Sequence, residues 1–225
     1  MKTLVISDIH LGSPLVDKKL ELMNLMKSEE YDTIVLNGDI FDIWEKHFDI
    51  IIMENFDFVK LIQSLSLTKK VYYLMGNHDP YIAEIKRLFP NVDVRKELKI
   101  DDILIIHGEQ FDDMVTKYSW FAKILFIPNW FAERIFHINL KAFFREKLSI
   151  SSKRSKPYFR KLIGDIEEEA TEYYKDQCRH LIMGHTHTPK IVGGDDITYI
   201  NCGDIIHNRV CLEFDENKKF KFIEV

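Results

Sequence analysis

Short apolar runs that end abruptly in polar residues recur along this chain of 225 residues. Residues 3–7 lead into Asp8-Ile9-His10, and residues 33–37 into Gly38-Asp39. Residues 71–75 lead into Gly76-Asn77-His78-Asp79, residues 103–106 into His107-Gly108, and residues 180–183 into Gly184-His185-Thr186-His187. Continuous apolar runs of this length predict strands buried on both faces. Between the first three, residues 18–27, 48–65 and 81–88 carry helical spacing, so strand alternates with helix. Beyond Gly184, residues 189–192, 197–201, 209–214 and 220–225 predict short strands separated by turn residues, and hence a second, more antiparallel sheet. The predicted fold class is α/β, with two sheets packed face to face and helices outside.

Residues 112–178 break this rhythm and predict a helical insertion within a single domain spanning 1–225. Aromatic residues crowd its first half, among them Trp120, Phe121, Phe126, Trp130 and Phe131, and a basic run containing Lys153, Arg154 and Lys156 follows. Aromatic stripes at helical spacing commonly form core, and basic runs commonly form solvated faces. An apolar pocket with a basic rim is the other reading.

Composition narrows the class. With 46% hydrophobic and 30% charged residues the chain has the make-up of a folded globular protein. Its formal net charge of −5 argues against a general nucleic-acid partner. Three cysteines without CxxC spacing point away from a disulfide framework or a zinc ribbon. The start of the chain lacks a signal-peptide pattern, and no apolar run is long enough to span a bilayer. The expected location is the cytoplasm, with peripheral contact at the inner membrane through the insertion.

Each polar cluster follows a strand, and in α/β sheets ligands bind outside the carboxyl ends of the strands. The clusters supply Asp8, His10, Asp39, Asn77, His107, His185 and His187, a donor set of oxygen and imidazole nitrogen only. That set suits Mn²⁺, Fe²⁺, Zn²⁺ or Mg²⁺ rather than a thiolate-bound metal. Any one of these histidines, taken singly, reads better as a core or capping residue; five strand-end clusters together read as a metal site. His47, His137 and His180 fall outside the clusters and are expected on the surface or in packing. Asp42 is expected to support the site or form a turn rather than to ligate.

The ordered series Asp8-Ile9-His10, Gly38-Asp39-Ile40-Phe41-Asp42, Gly76-Asn77-His78-Asp79, His107-Gly108 and Gly184-His185-Thr186-His187 resembles the calcineurin-like metallophosphoesterase superfamily. The resemblance implies a four-layer αββα sandwich and two divalent cations, Mn²⁺ foremost. It implies that Asp8, His10 and His187 bind one cation, that Asn77, His107 and His185 bind the other, and that Asp39 bridges both. It further implies that His78 faces the substrate and that Asp79 orients the His78 imidazole as a catalytic pair.

Within that superfamily, Gly184 to Pro189 followed by Tyr199-Ile200-Asn201-Cys202-Gly203-Asp204 resembles the C-terminal signature of the UDP-2,3-diacylglucosamine pyrophosphohydrolases of lipid A biosynthesis. Asp39-Ile40-Phe41-Asp42-Ile43-Trp44 and His107-Gly108-Glu109-Gln110-Phe111-Asp112 are similar to other blocks of that family, and the insertion sits where it carries an acyl-binding lid. Ile205 and Glu109 depart from its usual pattern. The implied substrate is a nucleotide-lipid; Asp112 and, from the apolar and basic character of the insertion, Lys153, Arg154, Lys156, Trp120 and Phe121 are its candidate contacts. A phosphatase or phosphodiesterase for soluble nucleotides or phosphoproteins, and a scaffold of the same fold without turnover, are the alternatives.

Overall fold

The computed structural model describes residues 1–113, 115–117 and 157–225. They form two compact units, Met1–Gly108 with Tyr174–Val225, and the described part of Glu109–Tyr173.

The first unit contains two mixed sheets. One has six strands in the order β11-β10-β1-β2-β3-β4. In it β1 (Lys2–Ile6), β2 (Thr33–Asn37), β3 (Lys70–Leu74) and β4 (Asp93–Arg95) run parallel, while β10 (Val210–Asp215) lies antiparallel to β1 and β11 (Phe220–Glu224) antiparallel to β10. The other has five strands in the order β5-β6-β7-β9-β8. Here β6 (Ile103–Ile106), β7 (His180–Met183) and β9 (Thr198–Asn201) are parallel, flanked by antiparallel β5 (Glu97–Ile100) and β8 (Lys190–Gly193).

Period-two alternation divides the apolar side chains of β1 and β2 between two cores. Leu4, Ile6, Ile34 and Leu36 pack with residues of α1 (Lys19–Met26), α2 (Phe48–Glu54), α3 (Phe56–Leu65) and α4 (Ile82–Leu88). Val5 and Val35 face the other way and meet Ile103, Ile105, Ile182 and Ile200 of the second sheet, joined by Leu212 and Phe214 of β10. The two sheets therefore stack on a shared apolar layer, with helices flanking them.

Three features differ from the sequence-based expectation. The C-terminal strands do not stay together: β8 and β9 join the second sheet, whereas β10 and β11 cross to the first and cover the edge of β1. Leu212 and Phe214 explain this, because they complete the layer between the sheets. The helix expected over 48–65 breaks at Asn55, where φ is −123° and the side-chain amide donates to the Ile51 carbonyl at 2.9 Å. A side chain that bonds its own backbone in this way competes with continuation of the helix. Strands β4 and β5 are additional to the expected set.

In the second unit, a 3₁₀ turn (Glu109–Phe111) and α5 (Pro157–Tyr174) are the described elements, and the Phe111 and Tyr173 rings meet edge to face at 5.8 Å. Among the described residues no helix is long and apolar enough to cross a membrane.

Candidate metal centre

The parallel strands β1, β2, β3, β6 and β7 each end immediately before one polar cluster. Because the two sheets stack, these clusters meet at one end of the sandwich. Three groups of side chains there present ligand atoms within 4.8 Å of one another: Asp8, His10 and His187; His10, Asp39 and His78; and Asp39, His107 and His185. Asp39 and His10 each belong to two groups, so the site is a continuous row rather than separate clusters.

Backbone geometry directs these side chains. Asp8, His10, Asp39, His185 and His187 all adopt left-handed backbone, with φ of 54°, 52°, 53°, 60° and 52°. Such conformations are uncommon for residues other than glycine and cost about 1–3 kcal/mol each, so the surroundings must enforce them. Cross-links between strand ends do so: the Asp8 N–H donates to the Gly38 carbonyl at 3.1 Å, and the His10 N–H to the Asp39 carbonyl at 2.9 Å. The His185 N–H donates to Asp8 Oδ2 at 3.1 Å, tying the two sheets together at the site. The Ser7 hydroxyl lies 2.5 Å from Asp8 Oδ2 and 2.7 Å from the Asn37 carbonyl, and its single proton serves one of them at a time.

His10 and His107 each turn one nitrogen into the site and the other onto a fixed acceptor. His10 directs Nε2 toward Asp8 Oδ1 at 3.7 Å and Asp39 Oδ2 at 3.9 Å, with Nδ1 against Asp42 Oδ2 at 3.0 Å. His107 directs Nε2 toward Asp39 Oδ2 at 3.3 Å, with Nδ1 against the Asn37 carbonyl at 2.9 Å. His187 directs Nε2 toward Asp8 Oδ1 at 3.1 Å. Such outer acceptors set the tautomer and ring orientation of metal-ligating histidines. The His10 and His187 rings stack at 5.4 Å, and the His107 and His185 rings meet edge to face at the same centroid distance.

The donor set and its burial fit a divalent cation. Asp8 Oδ1, His10 Nε2 and Asn77 Oδ1 are buried and make no hydrogen bond among the described residues, although Asp8 and His10 point into the row. Orphaned buried polar atoms are costly, and a cation offers them a common partner. Electrostatics agree for the protein alone. Burial opposes ionisation of Asp39, but His107, His78 and His10 outweigh it and hold the carboxyl far below its ordinary range. Burial opposes charging of His10, but Asp42 and Asp8 reverse this and raise its pKa well above the ordinary value. Protons and cations thus compete for the same atoms.

Asp79 requires a correction. Its carboxylate accepts the backbone N–H groups of Asp39, Ile40, Phe41 and Gly76 at 2.9, 3.0, 3.0 and 2.9 Å, and the Tyr73 hydroxyl at 2.6 Å. Burial, then the charge of Asp39, pushes it up to about 6 against these hydrogen bonds. The partner of His78 is instead Asp42, whose Oδ1 lies 2.9 Å from His78 Nδ1. The unsatisfied amides of the turn after β2 draw Asp79 inward, whereas Asp42 sits between the rings of His10 and His78 and contacts both. Trp44 supports the same loop, donating its indole N–H to the Asn77 carbonyl at 2.9 Å.

Among the proposed substrate contacts, Trp120, Phe121, Lys153, Arg154 and Lys156 lie outside the described residues. Asp112 is described in the second unit, where its N–H donates to the Glu109 carbonyl at 3.1 Å. Sequence reasoning did not find Asp204, a fully buried carboxylate with Oδ2 3.6 Å from His187 Nδ1. Its signal was the Gly203-Asp204 pair directly after a buried strand, the same pattern that marks Gly38-Asp39.

Close packing makes a further prediction. A Cβ on Gly76 would fall inside van der Waals contact with both the Asp39 carboxylate and its backbone nitrogen. Gly76→Ala is therefore expected to displace Asp39 and lower turnover by on the order of 10²-fold, since ångström-scale misplacement costs that much. Steady-state kinetics on the folded variant checks it.

The family model for calcineurin-like phosphoesterases matches residues 1–189, and the chain belongs to that family. It is a metal-dependent phosphoester hydrolase. Among curated relatives, the UDP-2,3-diacylglucosamine hydrolase of Shewanella baltica strain OS223 is 24% identical over 202 residues, covering 85% of this chain and 83% of the relative. The protein of the same name from strain OS155 is 25% identical over 203 residues with the same coverage. Among solved structures, a novel archaeal phosphodiesterase superposes with a TM-score of 0.51 at 17% identity, covering all of both chains. A single mutant of Vps29 from Entamoeba histolytica superposes at 0.50 with 12% identity, covering 100% of this chain and 99% of that one. At these identities the structural matches carry the fold alone.

Proposed function

We propose that this chain hydrolyses the pyrophosphate bond of a UDP-linked acylated sugar, releasing UMP and an acyl-sugar 1-phosphate. The observation that carries the chemistry is the position of Asp39, shared between a group containing His10 and one containing His107 and His185. The substrate class draws support from relatives named UDP-2,3-diacylglucosamine hydrolase, which match over 85% of the chain.

In this reading Asp8, His10 and His187 would hold one cation and Asn77, His107 and His185 the other, with Asp39 common to both. When bound, two such cations polarise the phosphoryl oxygens and supply a nucleophilic water near neutral pH. Oxygen and imidazole donors suit Mn²⁺ and accommodate Fe²⁺, Zn²⁺ or Mg²⁺.

The remaining work falls to side chains of the chain itself. Asp42, 2.9 Å from His78 Nδ1, fixes the orientation of the ring, so that Nε2 can meet a phosphoryl oxygen as negative charge builds there. His78 is only partly buried, which leaves this nitrogen accessible to an ester. Asp79 keeps the Asp39 loop in shape beneath it. The apolar insertion is assigned to the acyl chains.

His78→Ala is expected to lower kcat by roughly 10²–10⁴-fold, the usual contribution of a positioned proton donor, with both cations retained. Kinetics alongside metal analysis tests this, and loss of bound metal from His78→Ala equal to that from a variant at Asp39 would remove the assigned role. Incubation with UDP-2,3-diacylglucosamine and Mn²⁺ tests the substrate by following UMP. Hydrolysis of model phosphodiesters without UMP release would overturn the substrate and favour soluble nucleotides. Inactivity on every ester would favour a scaffold.

A further inference from the structure

Between β9 and β10 the chain crosses from the second sheet to the first, and Asp204 and Asn208 lie in that crossover. Asp204 is fully buried. Its Oδ1 accepts the His207 N–H at 2.5 Å and the Asn208 N–H at 3.4 Å, while Oδ2 faces His187 Nδ1 at 3.6 Å. The Asn208 side-chain amide donates to Asp204 Oδ2 and, with its second hydrogen, to the His187 carbonyl at 2.8 Å. One residue thus restrains the ring of His187 and the other its left-handed backbone.

We propose that Asp204 and Asn208 form a clasp that positions His187 and selectively strengthens one of the two cation positions, that of Asp8, His10 and His187. Both of its imidazoles face buried carboxylates, His10 Nδ1 within hydrogen-bond distance of Asp42 at 3.0 Å and His187 Nδ1 at the longer, ion-pair distance of 3.6 Å from Asp204. His107, assigned to the other position, is backed by the neutral carbonyl of Asn37. A carboxylate behind an imidazole raises its basicity as a ligand and fixes its tautomer, and losing one typically costs 10–100-fold in metal affinity. The clasp also explains why this crossover ends in the fixed turn that delivers Val210 to β10: the Val210 N–H donates to the Asp204 carbonyl at 3.2 Å. Asp204 and Asn208 are positioning residues, acting through His187 rather than on the ester.

The inference rests on the proposed cation grouping, and stepwise calorimetric titration of chelator-treated full-length chain with Mn²⁺ separates the two. The unaltered chain is expected to show two binding events; fewer would overturn the grouping and the clasp together. With two events present, Asp204→Asn is expected to weaken one by about 10–100-fold and leave the other unchanged. Asn208→Ala, at an exposed position, is expected to weaken the same event by roughly 2–10-fold, the equivalent of one lost hydrogen bond. Excess Mn²⁺ should then restore the kcat of both variants, which a merely structural defect would not permit. Equal weakening of both events, or no weakening of either, overturns the clasp. If Asp204→Asn fails to fold, the Asn208→Ala titration decides.

Discussion

Asp39→Asn is expected to reduce phosphoester hydrolysis by on the order of 10³-fold or more, and to leave the chain with fewer than two bound cations. The size follows from the several kcal/mol of charge stabilisation that a metal supplies to a transition state, at about 1.4 kcal/mol for each factor of ten. Asn is the informative replacement because it keeps the size of the side chain and tolerates the φ of 53° found at this position. It retains an oxygen to accept the His78 N–H, now at 2.8 Å from Oδ1, but removes the charge that faces His107 and His10. Metal analysis and initial rates on one preparation check both parts. Two retained cations with near-normal rates would show that Asp39 does not link the two positions.

Asp79→Ala is expected to destabilise the fold by about 3–5 kcal/mol. Removing a buried acceptor leaves each former donor to bear its own desolvation cost of about 1–3 kcal/mol, partly relieved by entering water or local movement. Asp79 serves four backbone N–H groups and the Tyr73 hydroxyl, which is itself fully buried. At roughly 2–4 °C per kcal/mol for a chain of this size, the melting temperature should fall by about 6–20 °C. Because the freed amides belong to the Asp39 turn, metal binding should weaken as well. Thermal unfolding followed by circular dichroism measures the first effect. A shift under about 2 °C, less than 1 kcal/mol on the same scale, would contradict the role assigned to this carboxylate.

The candidate centre was readable from sequence where residue type and strand ends carry the information. Asp8, Asp39, Asn77, His107 and His185 each stand just beyond an apolar run, and parallel pairing brings such positions to one edge. Which carboxylate supports which imidazole was not readable. Asp79 is adjacent to His78 in sequence, yet the side chain that reaches the ring is Asp42, thirty-six positions away. Neighbouring residues on a turn point apart, and hydrogen-bond demand from the β2 turn decides where Asp79 goes. Asp204 was visible as part of a Gly-Asp pair after a strand, but its pairing with His187 was not, because that contact depends on a crossover between sheets.

The same limit applies to the fold. Apolar runs buried on both faces announced β1, β2, β6 and β7. Strands β4 and β5 are short and bear Asp93, Arg95, Glu97 and Lys99 on their exposed sides, so their apolar signal is a single buried residue each, Val94 and Leu98. Edge strands commonly carry such charges, which discourage pairing with other chains. The division of the C-terminal strands between sheets followed from packing of Leu212 and Phe214 between layers, a tertiary fact invisible to periodicity.

Anomalous diffraction from crystals grown with Mn²⁺, collected at the manganese edge, measures the dinuclear centre most directly. Two anomalous peaks are expected, about 3.5–4 Å apart, with a carboxylate oxygen of Asp39 reaching each. A single peak, or two peaks that Asp39 does not join, would contradict the account.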